Sequence, residues 1–394
     1  MFILFFQICI PTATTPFYKC ICKAGFEVNP STTYCETIKA PKFLLYGQQS
    51  PGIIRGIGLN PANNINNATE SKDVVTPMVD LSRPTALDFH AESRSLLVAD
   101  SEALKIQRHH LSNGSREDVV TSGLFNVMGL SVESEGNNVY WTDEGLITVN
   151  VASLADPRRR KVILKEGLSR PRSILADSGS RRLFWTDWPK GPEFGELQGK
   201  IETSNLDGSE RKLLLKHELV WPNGLALDAE TNTLYWCDSY LKKIESMNLV
   251  IGANSRKIVA SEDSHEVSLP FGLALHKGSL YWSEFDLGSI KKLDLTSNLA
   301  EVFEEGRKKL FGLKIFDSEL VSQSDSDVKS PCHESCSDLC LRSGNELKCH
   351  CGDGRRMTES GECEAIEDWK ASGLCSEAQF QCRHTFKCID KKFL

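Results

Sequence analysis

Two adjacent aromatic residues, followed by a small side chain and an acid, recur along this chain at intervals of about 45 residues. Tyr140-Trp141-Thr142-Asp143 is followed by Phe184-Trp185-Thr186-Asp187, Tyr235-Trp236-Cys237-Asp238 and Tyr281-Trp282-Ser283-Glu284. Leu97-Val98-Ala99-Asp100 precedes them without aromatics, and Leu45-Tyr46-Gly47-Gln48 is a fainter first copy. A second motif runs about a dozen residues ahead of the first. It reads RPTALDF from Arg83, VMGLSVE from Val127, RPRSILAD from Arg170, WPNGLALD from Trp221 and LPFGLALH from Leu269. KLFGLKIF from Lys309 is a sixth copy with no aromatic motif after it.

Repeats of this length are single supersecondary units that bury their apolar faces on one another. Each copy alternates apolar and polar residues over short runs, with turns at Asn137-Asn138, Asp207-Gly208 and Lys277-Gly278, which reads as strands. Repeats of about 40 to 50 residues with several short strands each fit the blades of a propeller, an arrangement that leaves few open sheet edges. Six copies of each motif predict six blades. Because the two series are offset, the N-terminal strand is expected to complete a blade with C-terminal strands and so close the ring. Neighbouring residues in a strand point to opposite faces. Tyr140 and Thr142 should therefore face one adjacent blade, and Trp141 and Asp143 the other.

These motifs resemble the YWTD, or class B, repeats of the low-density lipoprotein receptor family. The resemblance covers Pro41 to Val321 and implies an all-β, six-bladed YWTD β-propeller over residues 41–321. The residues that carry it are Tyr140, Trp141 and Asp143; Phe184, Trp185 and Asp187; Tyr235, Trp236 and Asp238; and Tyr281, Trp282 and Glu284. Cys237 stands where the threonine is usual, and Glu284 where the aspartate is usual. On an inner strand Cys237 is expected to be a buried, reduced thiol.

Thirteen of the fourteen cysteines lie outside the propeller. Cys332, Cys336, Cys340, Cys349, Cys351 and Cys363 crowd into about thirty residues, as in a disulfide-stapled module of a secreted protein. His333 and His350 raise zinc, but structural zinc favours paired CxxC knuckles, whereas the close pair here is C-x-C. The segment 332–363 resembles an EGF-like domain. That likeness implies the bridges Cys332–Cys340, Cys336–Cys349 and Cys351–Cys363. Arg355 occupies a position that is usually aromatic in that family. Residues 9–36 look like a partial EGF-like module, with Cys22–Cys35 implied as a bridge. Residues 375–394 look like a truncated class A ligand-binding module, with Cys375–Cys388 implied.

A class A module folds around calcium, which takes six to eight oxygen ligands. Beyond Cys388 the acid present is Asp390, so no cofactor is expected in this segment; calcium is expected only for complete class A modules. Residues after about Ala371 are expected to lack a fixed core. At the other end, MFILFFQICI is too short to span a bilayer and has no preceding basic residue. A signal-peptide core and an artificial start inside a longer gene both remain open. Disulfide chemistry requires the secretory route either way. Asn67 and Asn113 head sequons for N-glycosylation consistent with that route.

Hydrophobic residues make up 40% and charged residues 25%, with a net charge of −7. No basic surface with interleaved aromatics points to nucleic acid, and Arg158-Arg159-Arg160-Lys161 reads as a solvated hairpin tip. Six-bladed propellers also host calcium-dependent lactonases. No G-x-S-x-G occurs, and the His-Glu pairs at His217, His265 and His333 lack a second histidine four residues on. The expectation is no enzyme.

The module order resembles the interior of a low-density lipoprotein receptor-related protein. This implies an extracellular binding and scaffold segment of a cell-surface endocytic receptor. Its partners would be extracellular protein or lipoprotein ligands, with intramolecular docking to EGF-like and class A modules. The membrane would be reached only through a helix outside this segment. The alternatives are a matrix protein of nidogen type and a Wnt co-receptor-like propeller. Trp188 to Lys200 makes the longest interval between motifs and is a candidate ligand loop. Lys242 and Leu269 fall where two of the family's pH-sensing histidines would stand. The propeller is therefore expected to be a weak pH switch by itself, with His217, His265 and His276 nearby.

Overall fold

The computed structural model describes residues 42–59, 73–111, 114–191, 198–307, 309–317 and 336–366, with backbone only at 73–76. It also gives the backbone of short strands at Gln7–Pro11, Tyr18–Cys22, Phe26–Val28, Cys35–Thr37, Gln379–Gln381 and Cys388–Asp390. Asn67, Asn113, Cys332 and Cys375, and the side chains of Cys22, Cys35 and Cys388, lie outside the described residues. Within the stretch expected to lack a fixed core, Gln379–Gln381 pairs with Cys388–Asp390.

Among the described residues, six four-stranded antiparallel sheets form a ring. We number the blades in chain order. Blade II runs from Pro84 to Val120, blade III from Val127 to Leu164, blade IV from Arg170 to Leu215, blade V from Pro222 to Ser261 and blade VI from Pro270 to Glu304. Blade I closes the ring. Its innermost strand is the C-terminal Leu310–Asp317, paired with Lys42–Gln48 so that Phe316 opposes Phe43. Three strands of blade I come from the N-terminal side and one from the C-terminal side. In every blade the Pro/Gly-Leu motif forms the innermost strand and the aromatic motif the second.

The large residues fill the wedges between blades. Tyr140 packs with Ile174, Leu183 and Trp185 of blade IV, while Trp141 packs with Ala86, Leu97 and Ile106 of blade II. The alternation continues around the ring: Phe184 meets Trp236, Tyr235 meets Trp282, and Tyr281 meets Tyr46. The four motif tryptophans are at most 2% exposed. The glycine of the innermost motif permits a close approach. A Cβ on Gly129 would lie 2.3 Å from the Arg172 carbonyl oxygen, and one on Gly224 would lie 2.6 Å from that of Phe271.

The third motif residue ties each blade to the next. Thr142 Oγ1 donates to the Arg172 carbonyl, Thr186 Oγ1 to that of Asn223 at 3.1 Å, and Ser283 Oγ to that of Phe311 at 3.0 Å. Cys237 is buried and free, its Sγ 3.3 Å from the Phe271 carbonyl oxygen. Burial pushes its thiol far above the usual range. Ala99 of blade II cannot donate; Thr85 and Ser101 reach the Val127 carbonyl instead, at 2.6 and 2.7 Å. Gly47 of blade I has no side chain to donate. There Lys314 pairs with Asp88 at 2.6 Å, and Phe316 meets Phe89 edge-on at 4.5 Å.

Residues 336–366 form two small hairpins with disulfides Cys336–Cys349 and Cys351–Cys363. Cys340 is also disulfide-bonded. Leu339 and Leu341 pack into the apolar cluster of Tyr140 and Trp185. Asn138 Nδ2 donates to the Cys340 carbonyl at 3.1 Å, and Arg342 pairs with Glu135. Arg355, at the usually aromatic position, forms an ion pair with the buried Asp338 at 2.6 Å. The basic run at 158–161 is only partly a solvated tip. Arg158 and Arg159 pair with Asp156, but Arg160 reaches the Ser122 carbonyl and Lys161 reaches the Cys351 carbonyl at 3.2 Å.

The buried histidines are ones that the sequence did not single out. His90 and His109, in blade II, are 4% and 3% exposed, and each has an Nε2 without a hydrogen-bond partner among the described residues. Burial, aided by Arg116 and His110, lowers His109 to about 4. Burial and Arg108 also lower His90. Histidine in an unfolded chain titrates near 6.5. The unfolded state therefore binds more protons below that pH, and stability falls as pH drops from about 6.5 toward 4.

Three outcomes are expected. First, Thr142→Val should cost about 1–2 kcal/mol in urea unfolding, because it strands a buried carbonyl. Second, a bulky maleimide should leave Cys237 unlabelled in the native chain and modify it after denaturation. Third, His109 alone should cost on the order of 1 kcal/mol of stability between pH 7.4 and 5.5. His109→Leu should remove that part of the pH dependence, and equal pH slopes for the two proteins would refute the burial account.

Candidate functional site

The acid that ends each aromatic motif is buried, and it organises one face of the ring. Asp143 accepts from the backbone N–H groups of Phe125 at 2.8 Å and Asn126 at 3.1 Å. Asp100 holds Ser82 and Arg83 in the same way, Asp187 holds Ser169 and Arg170, and Asp238 holds Val220 and Trp221. Glu284, one methylene longer, holds Ser268 and Leu269. Each acid thus clamps the segment that enters its own blade. Burial raises Asp187 and Glu284, with the N–H donors opposing that rise. In blade I, Gln48 takes the acid's place and donates to the Ser50 carbonyl at 3.0 Å.

In four of the five pairs the second clamped residue stands at the mouth of the central channel. This places Arg83, Asn126, Trp221 and Leu269 around a cavity of about 290 Å³. Two residues further along the chain, Thr85, Met128, Arg172, Asn223, Phe271 and Phe311 form the next ring inward. Two aromatic groups line the mouth. Trp188 stacks on Trp221 with ring centroids 5.3 Å apart, and Tyr240 meets Trp221 edge-on at 5.2 Å. Phe271 and Phe285 each meet Phe311 edge-on, at 4.9 and 5.3 Å.

A polar chain crosses the other side of the mouth. Arg83 donates to Asn126 Oδ1 and Asn126 Nδ2 donates to Glu144 Oε2, both at 2.9 Å. Glu144 Oε1 also accepts from Arg170 at 2.6 Å and Arg172 at 3.1 Å. The Arg172 guanidinium lies 3.7 Å over the Trp188 ring, a cation–π contact strengthened by its burial. Desolvation lowers Arg172 to about 10, which leaves it charged at neutral pH. Its Nε and the buried Asn223 Oδ1 have no partner among the described residues. Arg83 Nε, also at the mouth, is likewise buried without a partner among the described residues, so the mouth holds two such donors and one acceptor beside an apolar wall.

Exposed apolar side chains surround this face. Phe125 is 65% exposed and Tyr240 59% exposed, with Leu287, Leu104 and Trp221 also open. Trp188, at the start of the long interval, belongs to the aromatic group; residues 192–197 of that interval lie outside the described residues. His217 and His265 sit away from the mouth, and their carbonyls accept from Arg256 and Lys291. His276 Nε2 lies 2.8 Å from Asp317 Oδ2, between blades VI and I. The arginines, Asn126, Glu144 and Asn223 were missed by the sequence reading. The arginines and Asn223 had a signal in RPTALDF, RPRSILAD and WPNGLALD, at fixed offsets in the innermost motif, whereas Asn126 and Glu144 each lie one residue outside a quoted motif.

The channel below the mouth has a volume of about 220 Å³, and Asp88 is its one carboxylate among the described lining residues. No cluster of three or more metal-ligating side chains occurs among the described residues. No described helix is long and apolar enough to cross a membrane.

The low-density lipoprotein receptor repeat class B family model matches residues 181–229. The vitellogenin receptor Yl of Drosophila melanogaster is 24% identical over 348 residues, which is 86% of this chain. This chain spans only 16% of that protein's length. A chain in the crystal structure of a nidogen/laminin complex is 25% identical, with a TM-score of 0.61 over 70% of this chain and 99% of the other. Together the repeated motif, the six-bladed ring and these likenesses make the chain similar to proteins that bear low-density lipoprotein receptor class B repeats, with the repeat itself matched at residues 181–229.

Proposed function

We propose that this chain is the extracellular ligand-binding part of an endocytic receptor and that the channel mouth is its protein-binding surface. The observation that carries the reading is the pairing of an open apolar rim with a buried, unpartnered donor and acceptor at Arg172 and Asn223. Exposed aromatic and aliphatic side chains grouped on one face mark interaction sites. Tryptophan, tyrosine and arginine supply most of the energy in such interfaces. A ligand would lay apolar side chains on Trp221 and Tyr240 and send one polar side chain to Arg172 and Asn223.

The contacts between residues 336–366 and the propeller support a second role, that of holding neighbouring modules at a fixed angle. The neutral, buried His90 and His109 support a contribution to ligand release in acidic compartments, by lowering the stability of blade II. The reading assigns no cofactor to this segment, and calcium enters with complete class A modules. It places the segment outside the cell, with Asn67 and Asn113 as glycan sites. The disulfides implied at Cys22–Cys35, Cys332–Cys340 and Cys375–Cys388 belong to the same reading, and the family likeness argues against catalysis.

Two of these likenesses supply probes. Vitellogenin tests the endocytic-receptor reading, and laminin tests a matrix-linker reading of the nidogen kind, which the structural likeness favours as the alternative. Surface plasmon resonance against both should detect one partner. Trp221→Ala and Arg172→Met should each weaken that binding about thirtyfold, about 2 kcal/mol, with thermal unfolding confirming a folded propeller. Binding to vitellogenin that ignores both substitutions would move the site off the channel mouth. Binding to laminin alone would favour the matrix reading.

A further inference from the structure

The disulfide module covers one seam of the ring, and the seam has a repeated chemistry. On the outer edge of blade III, Val162 N–H donates to Asp353 Oδ2 at 2.9 Å, and Asp353 N–H donates to the Arg160 carbonyl at 2.8 Å. Lys161 Nζ reaches the Cys351 carbonyl. The module also touches the turn of the next blade, where Asp207 N–H donates to the Arg342 carbonyl at 3.1 Å. His350 Nε2 lies 3.6 Å from Asp207 Oδ2. The interface is thus an Arg-Lys-aliphatic edge on one blade and a turn on the blade after it.

One blade further on, the same elements recur without the module. Val162 pairs with Asn150 just past a register shift, and Leu213 pairs with Glu202 at the same place. The edge there reads Arg211-Lys212-Leu213, and Arg211 reaches the Glu166 carbonyl much as Arg160 reaches that of Ser122. The turn Asn205-Leu206-Asp207 of blade IV corresponds to Asn248-Leu249-Val250 of blade V, since Asn205 and Asn248 end equivalent strands. Leu213 is 54% exposed, Val250 80% and Ile251 65%. Val250 and Ile251 are among the most exposed large apolar side chains of the described residues.

We propose that the seam between blades IV and V is a second docking surface, fitted to another EGF-like module that presents an aspartate turn like Cys351-Gly352-Asp353. The occupant follows from the filled seam beside it. An outer-edge N–H at a register shift is met there by the aspartate of a tight disulfide-bounded turn, and the lysine meets a carbonyl of the same turn. Blade IV belongs to both seams, so the two surfaces are continuous. The difference between them sets specificity. Val250 replaces Asp207, so the side chain opposite it should be apolar where this chain's own module carries His350. A free strand edge with an exposed aliphatic residue is also a liability for uncontrolled pairing, and a resident module would remove it.

The proposal does not depend on the channel mouth. Its test uses the whole chain and, as probe, a synthetic module of residues 332–366 carrying His350→Leu, with its disulfides verified by mass spectrometry. In the whole chain the seam between blades III and IV is already filled. Calorimetric titration should give saturable binding, and Leu213→Glu and Val250→Glu should each weaken it at least tenfold. Ile258→Glu, on the next edge, should leave it unchanged, as should Trp221→Ala at the mouth. Thermal unfolding should show every variant folded. Absence of saturation at millimolar probe would overturn the proposal. So would binding that ignores Leu213→Glu and Val250→Glu but is lost in Val162→Glu, which would mean exchange into the filled seam.

Discussion

A carboxylate buried at the end of the second strand of a blade, accepting from two successive backbone N–H groups, is the contact on which the functional face depends. A buried charge is tolerated only when it is fully hydrogen-bonded, and Asp143, Asp187 and Asp238 meet that condition with backbone donors. The donors belong to the segment that crosses from one blade to the next. Satisfying the acid therefore fixes where that segment runs and which residue it sets at the channel mouth. Arg83, Asn126, Trp221 and Leu269 differ in chemistry because the clamp reads backbone and leaves the side chain free to vary. One structural solution, repeated, provides a set of independently variable positions around a single cavity.

The same economy governs the wedges. The two aromatics of each motif face opposite neighbours, so each blade contributes apolar surface to two interfaces and no blade buries its core alone. The third motif residue then fixes the relative height of adjacent blades by reaching a carbonyl of the next innermost strand. Where that residue cannot donate, the ring finds other ties: two hydroxyls at Val127 for Ala99, and an ion pair with an edge-on aromatic contact for Gly47. Blade II is flanked by these two substitute seams and also holds the two buried histidines. Acid sensitivity and irregular ties thus meet in one blade.

The disulfide module extends the ring's packing outward. Leu339 and Leu341 share an apolar cluster with Tyr140 and Trp185, so the module and two blades are parts of one packed unit. Arg160 and Lys161, adjacent in a basic run, have separate tasks: one braces the crossing segment of its blade and the other meets the module. Charged side chains on a solvated hairpin would have looked the same in sequence.

Periodicity made the blades legible. Four strong copies of a motif with fixed chemistry define the repeat, the alternation of strand faces assigns each aromatic to a neighbour, and the offset of the two series implies ring closure by the two ends. The cysteine spacing pointed to a stapled module for a similar reason, since local chain length limits which thiols can meet. The site was not legible, although all but Asn126 of the residues named next sat inside the quoted motifs. Arg83, Asn126, Arg172, Asn223 and Phe271 are separated by tens of residues and share a cavity only because six-fold closure brings equivalent strand positions to one mouth. The burial of His90 and His109, rather than His217 or His265, was likewise decided by which strand faces the closed ring covers. Local pattern specified the unit and its neighbours; the closing of the ring, a constraint on the whole chain at once, determined which side chains share water, charge and space.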